Sequence, residues 1–314
     1  MKSQHNPREE YGKTLLSLCR NNRNIVALDA DLCRSTMTCK IEDELPEQYF
    51  EMGIGEQNMM SVAAGLSLTG KIPFVNSFAV FLTSRTFDQV RQAICNASLN
   101  VKIIGSSAGL SDFGDGSSHQ TVEDIAIMRA LPNMTVVVPC DGLQTARATE
   151  AIAAYTGPVY MRTSRNDMSD ITGESDAFEI GRVYPVREGK DVTIFACGIM
   201  VERALKAAEI LGLEGVSASV VNVSTVKPLD RAEIVRLAAV TGAVLTVEEH
   251  SIVGGLGSAI AEALRNEKIP VEFLGIQDQF GCSSNESEPL YEYYGLTSGA
   301  IVLKAKEVIK HKSK

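Results

Sequence analysis

Short runs of β-branched and apolar residues alternate with longer stretches whose apolar positions recur every three or four. In the first half the short runs fall at residues 25–30, 73–77, 101–106, 135–139 and 158–163. The helical periodicity falls at 7–21, 56–68, 86–97, 121–131 and 143–155. Such alternation predicts a parallel sheet flanked by helices. Pro7 suits a first helical turn, and Thr121 followed by Asp124 approximates a capping box. A polar stretch at 166–176 is the linker candidate. Alternation then restarts, with strands at 191–196, 217–223, 243–248 and 271–276 and helices at 201–211, 231–239, 256–265 and 298–310. The expectation is two α/β domains, 1–175 and 185–314, with no internal repeat.

Composition agrees with two packed cores. The 314 residues are 45% hydrophobic and 22% charged, within the range of folded globular chains. Net charge is −9. That argues against a nucleic-acid or anionic-membrane partner, which would select clustered lysine and arginine, while leaving room for a small anion held by a few arginines. The first residues contain no apolar signal core, and no apolar run reaches the length of a membrane span. Cysteines 19, 33, 39, 95, 140, 197 and 282 are scattered, odd in number and form no CxxC. Reduced thiols in a cytoplasmic protein are therefore expected.

In open α/β sheets, ligands bind beyond the carboxyl ends of the strands. Asp31, Arg34 and Ser35 follow the first predicted strand, and GIGEQNM (53–59) opens the second helix. Phe78 and Phe81 follow the second strand, SSAGLSDFGDGSSHQ (106–120) the third, and Arg165 the fifth. Gly53 and Gly55 permit a tight turn and close approach of a ligand. Glu56 then opens a helix rich in small residues. Taken alone, a carboxylate there is explained as readily by the helix dipole.

GIGEQNM resembles the segment of thiamine diphosphate enzymes whose glutamate holds the cofactor's aminopyrimidine. PFVNSFAVFLTSRTFDQVR (73–91), GDGSSHQTVEDIAIMRALPN (114–133) and YMRTSR (160–165) resemble the transketolase family in register. TVKPLD (225–230) and TVEEHSIVGGLG (246–257) resemble its C-terminal domain. The likeness covers nearly the whole chain but only the latter half of a full-length family member. It implies a pyrimidine-binding domain over 1–175 and a transketolase C-terminal domain over 185–314.

The resemblance also implies residue roles. Glu56 would share a proton with the pyrimidine ring, Phe81 would pack on that ring, and Phe78 would line the same pocket. Asp31 matches an acid near the cofactor. His119 would contact substrate near the reacting carbons, where a histidine can give or take a proton. Asp115 matches an acid that reads the sugar's α-hydroxyl. Arg8, Ser35 and Arg165 match contacts to the phosphate end, for which arginine geometry is suited. Ser107 departs from the pattern, standing where the family usually places histidine. That difference implies a reshaped anion end, suited to a sugar phosphate or to a branched or sulfonated sugar.

The family's diphosphate motif pairs Gly-Asp-Gly with a downstream asparagine to hold Mg²⁺. The one GDG, 114–116, lies in the loop matching another segment, and 139–146 contains no asparagine. It is read as a turn, with no metal site on this chain. Thiamine diphosphate would then be shared with a separate N-terminal subunit holding Mg²⁺ and diphosphate, in an α2β2 assembly. The rival enzymes are a deoxyxylulose phosphate synthase fragment and a 2-oxoacid dehydrogenase β chain; a non-catalytic partner is the rival outside enzymes. No strand is followed by GxGxxG, which weighs against nicotinamide binding. The second domain shows no catalytic set: His250 and Gly254–Gly257 read as a turn after a strand, packed at an interface.

Overall fold

A computed structural model describes residues 3–312. Two sheets organise them. The first half runs β1 (Gln4–His5), α1 (Pro7–Asn21), β2 (Ile25–Asp29), α2 (Cys33–Thr36), α3 (Cys39–Glu44), β3 (Tyr49–Glu51), α4 (Glu56–Leu68), β4 (Ile72–Phe78), α5 (Phe87–Gln89), β5 (Lys102–Ser106), α6 (Asp124–Ala130), β6 (Thr135–Val137), α7 (Gly142–Ala154), β7 (Val159–Arg162) and β8 (Met168–Ser169). The second half runs β9 (Tyr184–Arg187), β10 (Val192–Ala196), α8 (Met200–Leu213), β11 (Ala218–Asn222), β12 (Thr225–Lys227), α9 (Arg231–Thr241), β13 (Val244–Ser251), α10 (Leu256–Ala263), β14 (Val271–Ile276), α11 (Glu288–Tyr293) and α12 (Ser298–Lys310).

The seven-stranded sheet has the order β12-β6-β7-β5-β4-β2-β3. All its pairings are parallel except β12 with β6. The strands β2, β4, β5 and β7 are consecutive neighbours, so their carboxyl ends form one continuous edge. The five-stranded sheet has the order β14-β13-β10-β11-β9, with β9 antiparallel. β12 lies in the second half of the sequence yet completes the first sheet.

The helices follow from local chemistry. Asn6 caps α1, its side chain accepting from the backbone N–H groups of Arg8 and Glu9, and Pro7 occupies the first turn. Tyr11, Leu15, Leu16 and Cys19 form the buried face of α1, which packs against α7. In the second half, α8 buries Val201, Ala204, Ala208 and Leu211, a 3.6-residue stripe.

Several expected boundaries move. The helix predicted at 86–97 begins at Phe81 and is wound as π turns over Phe81–Arg85 and Val90–Cys95, on either side of α5. Thr83 and Thr86 direct their hydroxyls to the carbonyls of Ala79 and Leu82, competing with ordinary helical bonding. Thr121 does not cap α6, which starts at Asp124; instead its carbonyl accepts from Gly109. β13 continues to Ser251, so His250 lies within the strand rather than after it. Among the described residues, no helix is long and apolar enough to cross a membrane.

Candidate active site

Glu56 begins α4, and its side chain is 3% exposed. Beside it stand three aromatic rings delivered by two strand ends. Phe78 ends β4 and lies 6.0 Å from Phe81, nearly parallel. His119, from the loop after β5, meets Phe78 edge-on at 5.9 Å and Phe81 at 5.3 Å. The His119 ring nitrogen Nδ1 is 3.0 Å from the Ser118 hydroxyl. The result is an aromatic box with a buried carboxylate joined to it through Arg85, which bonds Glu56 and lies over the Phe81 ring. Such a box suits a flat heterocycle carrying a hydrogen-bonding edge: the rings offer stacking surface and Glu56 offers oxygens. Sequence reasoning missed Arg85, which donates through Nη1 to both Glu56 oxygens at 3.0 and 2.9 Å.

A second cluster forms where α1 approaches the ends of β2, β5 and β7. Arg8 donates to the Ser35 carbonyl at 3.0 Å, so Ser35 contributes its backbone there. Arg8 Nε is buried without a partner. Burial, and then the neighbouring charge of Arg165, pull the Arg8 pKa down. Arg165 donates to Asp112 Oδ1 at 2.8 Å, and its backbone N–H donates to Ser111 Oγ at 3.2 Å. Burial pushes Asp112 up, while Arg165 opposes that shift and Asp115 reinforces it. Two arginines held close, one with an unmet donor, form an arrangement that an incoming anion relieves. Asp112 was also missed: in a loop with two aspartates, the sequence does not say which one meets the arginine.

Backbone strain marks the same edge. Asp31 and Ser107 both adopt positive φ, 61° and 53°, a costly conformation for side chains other than glycine. Ser107 is fully buried and its hydroxyl has no partner. Asp31 is exposed, and its backbone N–H donates to Glu51 Oε1, which also accepts from Gly53 N–H. Glu51 thereby ties the loop after β2 to the turn preceding Glu56. Asp115 is exposed. Gly116 takes a φ of 71°, and a side chain there would press on Ser283; the GDG segment is a turn held under the second domain. Among the described residues, no group of three or more His, Cys, Asp or Glu side chains could hold a metal ion.

The second domain braces this edge from outside. Arg162, at the end of β7, donates to Asp124 at 2.9 Å and to the Glu249 carboxylate at 3.3 Å and carbonyl at 2.8 Å. Tyr160 adds a bond to Asp124, and Tyr291 one to Glu249. Glu249 also accepts from Leu110 N–H at 3.0 Å, within the loop that carries His119. Ser284 N–H donates to the Phe113 carbonyl, and Gln120 reaches the Cys282 carbonyl. His250 is buried, and its Nε2 accepts from Ala126 N–H. These contacts give the second domain a supporting part at the site.

A largely parallel sheet with acid, aromatic and arginine groups along one edge, backed by a second α/β domain, defines a two-domain α/β protein. The transketolase pyrimidine-binding domain matches residues 4–170, and the transketolase C-terminal domain matches 181–301. The chain belongs to the transketolase family. It is 44% identical to a putative transketolase C-terminal section of Methanocaldococcus jannaschii over 96% of each chain. It is 43% identical to a 6-deoxy-6-sulfo-D-fructose transketolase subunit of a Clostridium species, over 99% of this chain and 96% of that one. Among solved structures it resembles a split gene transketolase described as an inactive β4 tetramer. There the TM-score is 0.89 at 47% identity, covering 98% of this chain and 99% of that one.

Proposed function

We propose that this chain is the C-terminal subunit of a thiamine-diphosphate-dependent transketolase, moving a two-carbon ketol unit from a ketose to an aldose. The observation that carries the reading is the buried Glu56 carboxylate, joined through Arg85 to the box of Phe78, Phe81 and His119. When bound, the cofactor supplies the nucleophilic carbon that takes up the two-carbon unit. In this reading Glu56 shares a proton with the aminopyrimidine and Phe81 and Phe78 pack on it. Asp31 stands at the cofactor's margin, and His119 exchanges protons with the sugar near the reacting carbons. Asp115 reads a sugar hydroxyl. Arg8 and Arg165, with Ser35, hold the anionic end, whose shape Ser107 alters.

A separate N-terminal subunit would hold Mg²⁺ and the diphosphate, in a cytoplasmic α2β2 assembly with domains at 1–175 and 185–314. Support comes from relatives of the same length named as a C-terminal section and a subunit, and from the solved relative described as an inactive β4 tetramer. The sugar is anionic, a phosphate or sulfonate. The small Ser107 side chain and the relative named for a sulfonated sugar favour testing the sulfonate first.

The deciding experiment mixes the purified chain with the N-terminal subunit, Mg²⁺ and thiamine diphosphate, and follows ketol transfer between candidate sugars. The expected outcome is no turnover from this chain alone and turnover from the pair. Glu56→Gln should lower turnover about 10²–10⁴-fold, the scale of a general acid–base contribution, with assembly intact by gel filtration. Full activity from the single chain, or near-normal turnover with Glu56→Gln, would overturn the reading.

A further inference from the structure

Arg85 stands outside the roles just proposed, yet it makes two contacts at the centre of the site. Its guanidinium bonds both oxygens of Glu56, and its Cζ lies 4.3 Å from the centre of the Phe81 ring. No other hydrogen bond to the Glu56 carboxylate forms among the described residues. These are the same two groups that the reading above gives to the aminopyrimidine. Both the guanidinium and the pyrimidine are flat and present nitrogen at an edge, so both satisfy a carboxylate while stacking on an aromatic face.

Arg85 is also lightly held. Its side chain is 46% exposed, against 3% for Glu56. It ends the π turn Phe81–Arg85, four residues after Phe81, so the two side chains meet on one face of the turn. Its backbone, by contrast, is anchored: the Arg85 carbonyl accepts from Gln57 at 2.8 Å. The side chain can therefore leave for solvent while the turn stays in place. A buried carboxylate with no partner is costly, and Arg85 removes that cost while the site lacks its ring.

We propose that Arg85 is a displaceable placeholder for the aminopyrimidine, covering Phe81 and neutralising Glu56 until the cofactor enters. The inference rests on the proposed cofactor site. Because the guanidinium and the ring compete for one place, measured cofactor affinity is the intrinsic affinity reduced by the fraction of sites that Arg85 leaves open. A subunit lacking its partner is thereby kept from holding the pyrimidine end alone.

The test titrates thiamine diphosphate calorimetrically into the subunit pair with Mg²⁺, using wild type, Arg85→Ala, Arg85→Lys and Glu56→Gln. Arg85→Ala should bind cofactor about tenfold more tightly, a difference of about 1.4 kcal/mol, and load it faster. Arg85→Lys, which can pair but not stack flat, should fall between. The cofactor-free Arg85→Ala chain should unfold at a lower temperature than wild type, because Glu56 has lost its counter-charge. If Arg85→Ala weakens cofactor binding or leaves it unchanged while Glu56→Gln still abolishes turnover, the placeholder is wrong and the site reading stands. If Glu56→Gln changes neither affinity nor turnover, the site reading falls and the placeholder with it.

Discussion

Asp29 closes β2 with a fully buried carboxylate that accepts from Leu32 N–H and from the hydroxyls of Thr36 and Thr38. Those bonds shape the turn whose Ser35 carbonyl receives Arg8. Burial outweighs them and lifts the Asp29 pKa from 3.8 to about 6. The folded chain therefore keeps this proton over a range where the unfolded chain has lost it. Folding stability from this group is full below about pH 4 and declines as pH rises through about 6, by up to about 3 kcal/mol. Asp29→Asn keeps an acceptor without the charge. Urea unfolding from pH 4 to 7 should show a flatter profile for Asp29→Asn than for wild type, and an unchanged profile would remove Asp29 as the source. At the anion end, Arg165→Ala should cost tens-fold or more in kcat/KM for an anionic sugar, from the loss of about 1.5–3 kcal/mol per charge-assisted contact. It should cost much less for a short uncharged substrate. Ser107→His should shift preference toward ordinary sugar phosphates. Steady-state kinetics on paired substrates decide: equal losses for both classes, or an unmoved ratio, would misplace the anion site. The sequence proposed Glu56, Phe78, Phe81 and His119 because each lies in a short motif that resembles a family segment, and the fold brings Phe78, Phe81 and His119 together. It did not propose Arg85, because its meeting with Glu56 depends on how the intervening turn is wound.

Among the elements, strands of the central sheet were legible because runs such as Ile25–Asp29 and Lys102–Ser106 carry apolar, largely β-branched centres bounded by polar or turn-forming residues. Edge pieces were not: β3, β9 and β12 are three or four residues long and take their identity from the neighbour they pair with. The π-wound segment was read as an ordinary helix starting late, since a one-residue change of winding leaves only a faint trace in apolar spacing. The Arg162 cluster joins β7, α6, β13 and α11 from positions distant in sequence. Arg162→Met keeps bulk and removes charge, leaving Asp124 and Glu249 buried without their partner. The expected loss is about 3–5 kcal/mol of stability, the scale for breaking a buried pair, read by chemical unfolding. Since Glu249 also holds Leu110 in the loop bearing His119, turnover should fall along with stability. A variant as stable as wild type would show that the cluster carries little.

For the molecule as a whole, α/β alternation and the break near 166–176 disclosed two layered units, because each repeats a strand-and-helix period on its own side of a polar stretch. The way they interlock was hidden. Thr225–Lys227 leaves the second unit to lie antiparallel along β6 of the first, and Lys227 reaches the carbonyls of Arg129 and Leu131. That borrowed strand bears on how such a chain can be recombined. A graft that exchanged the second half for a relative's would also import the strand that shields the outer edge of the seven-stranded sheet. A mismatched loan would leave β6 with bare amide and carbonyl groups, an invitation to sticky self-pairing. The natural seam for chimeras is therefore not the linker alone: residues 225–227 should be exchanged together with β6 and α6, which they pair with and bond.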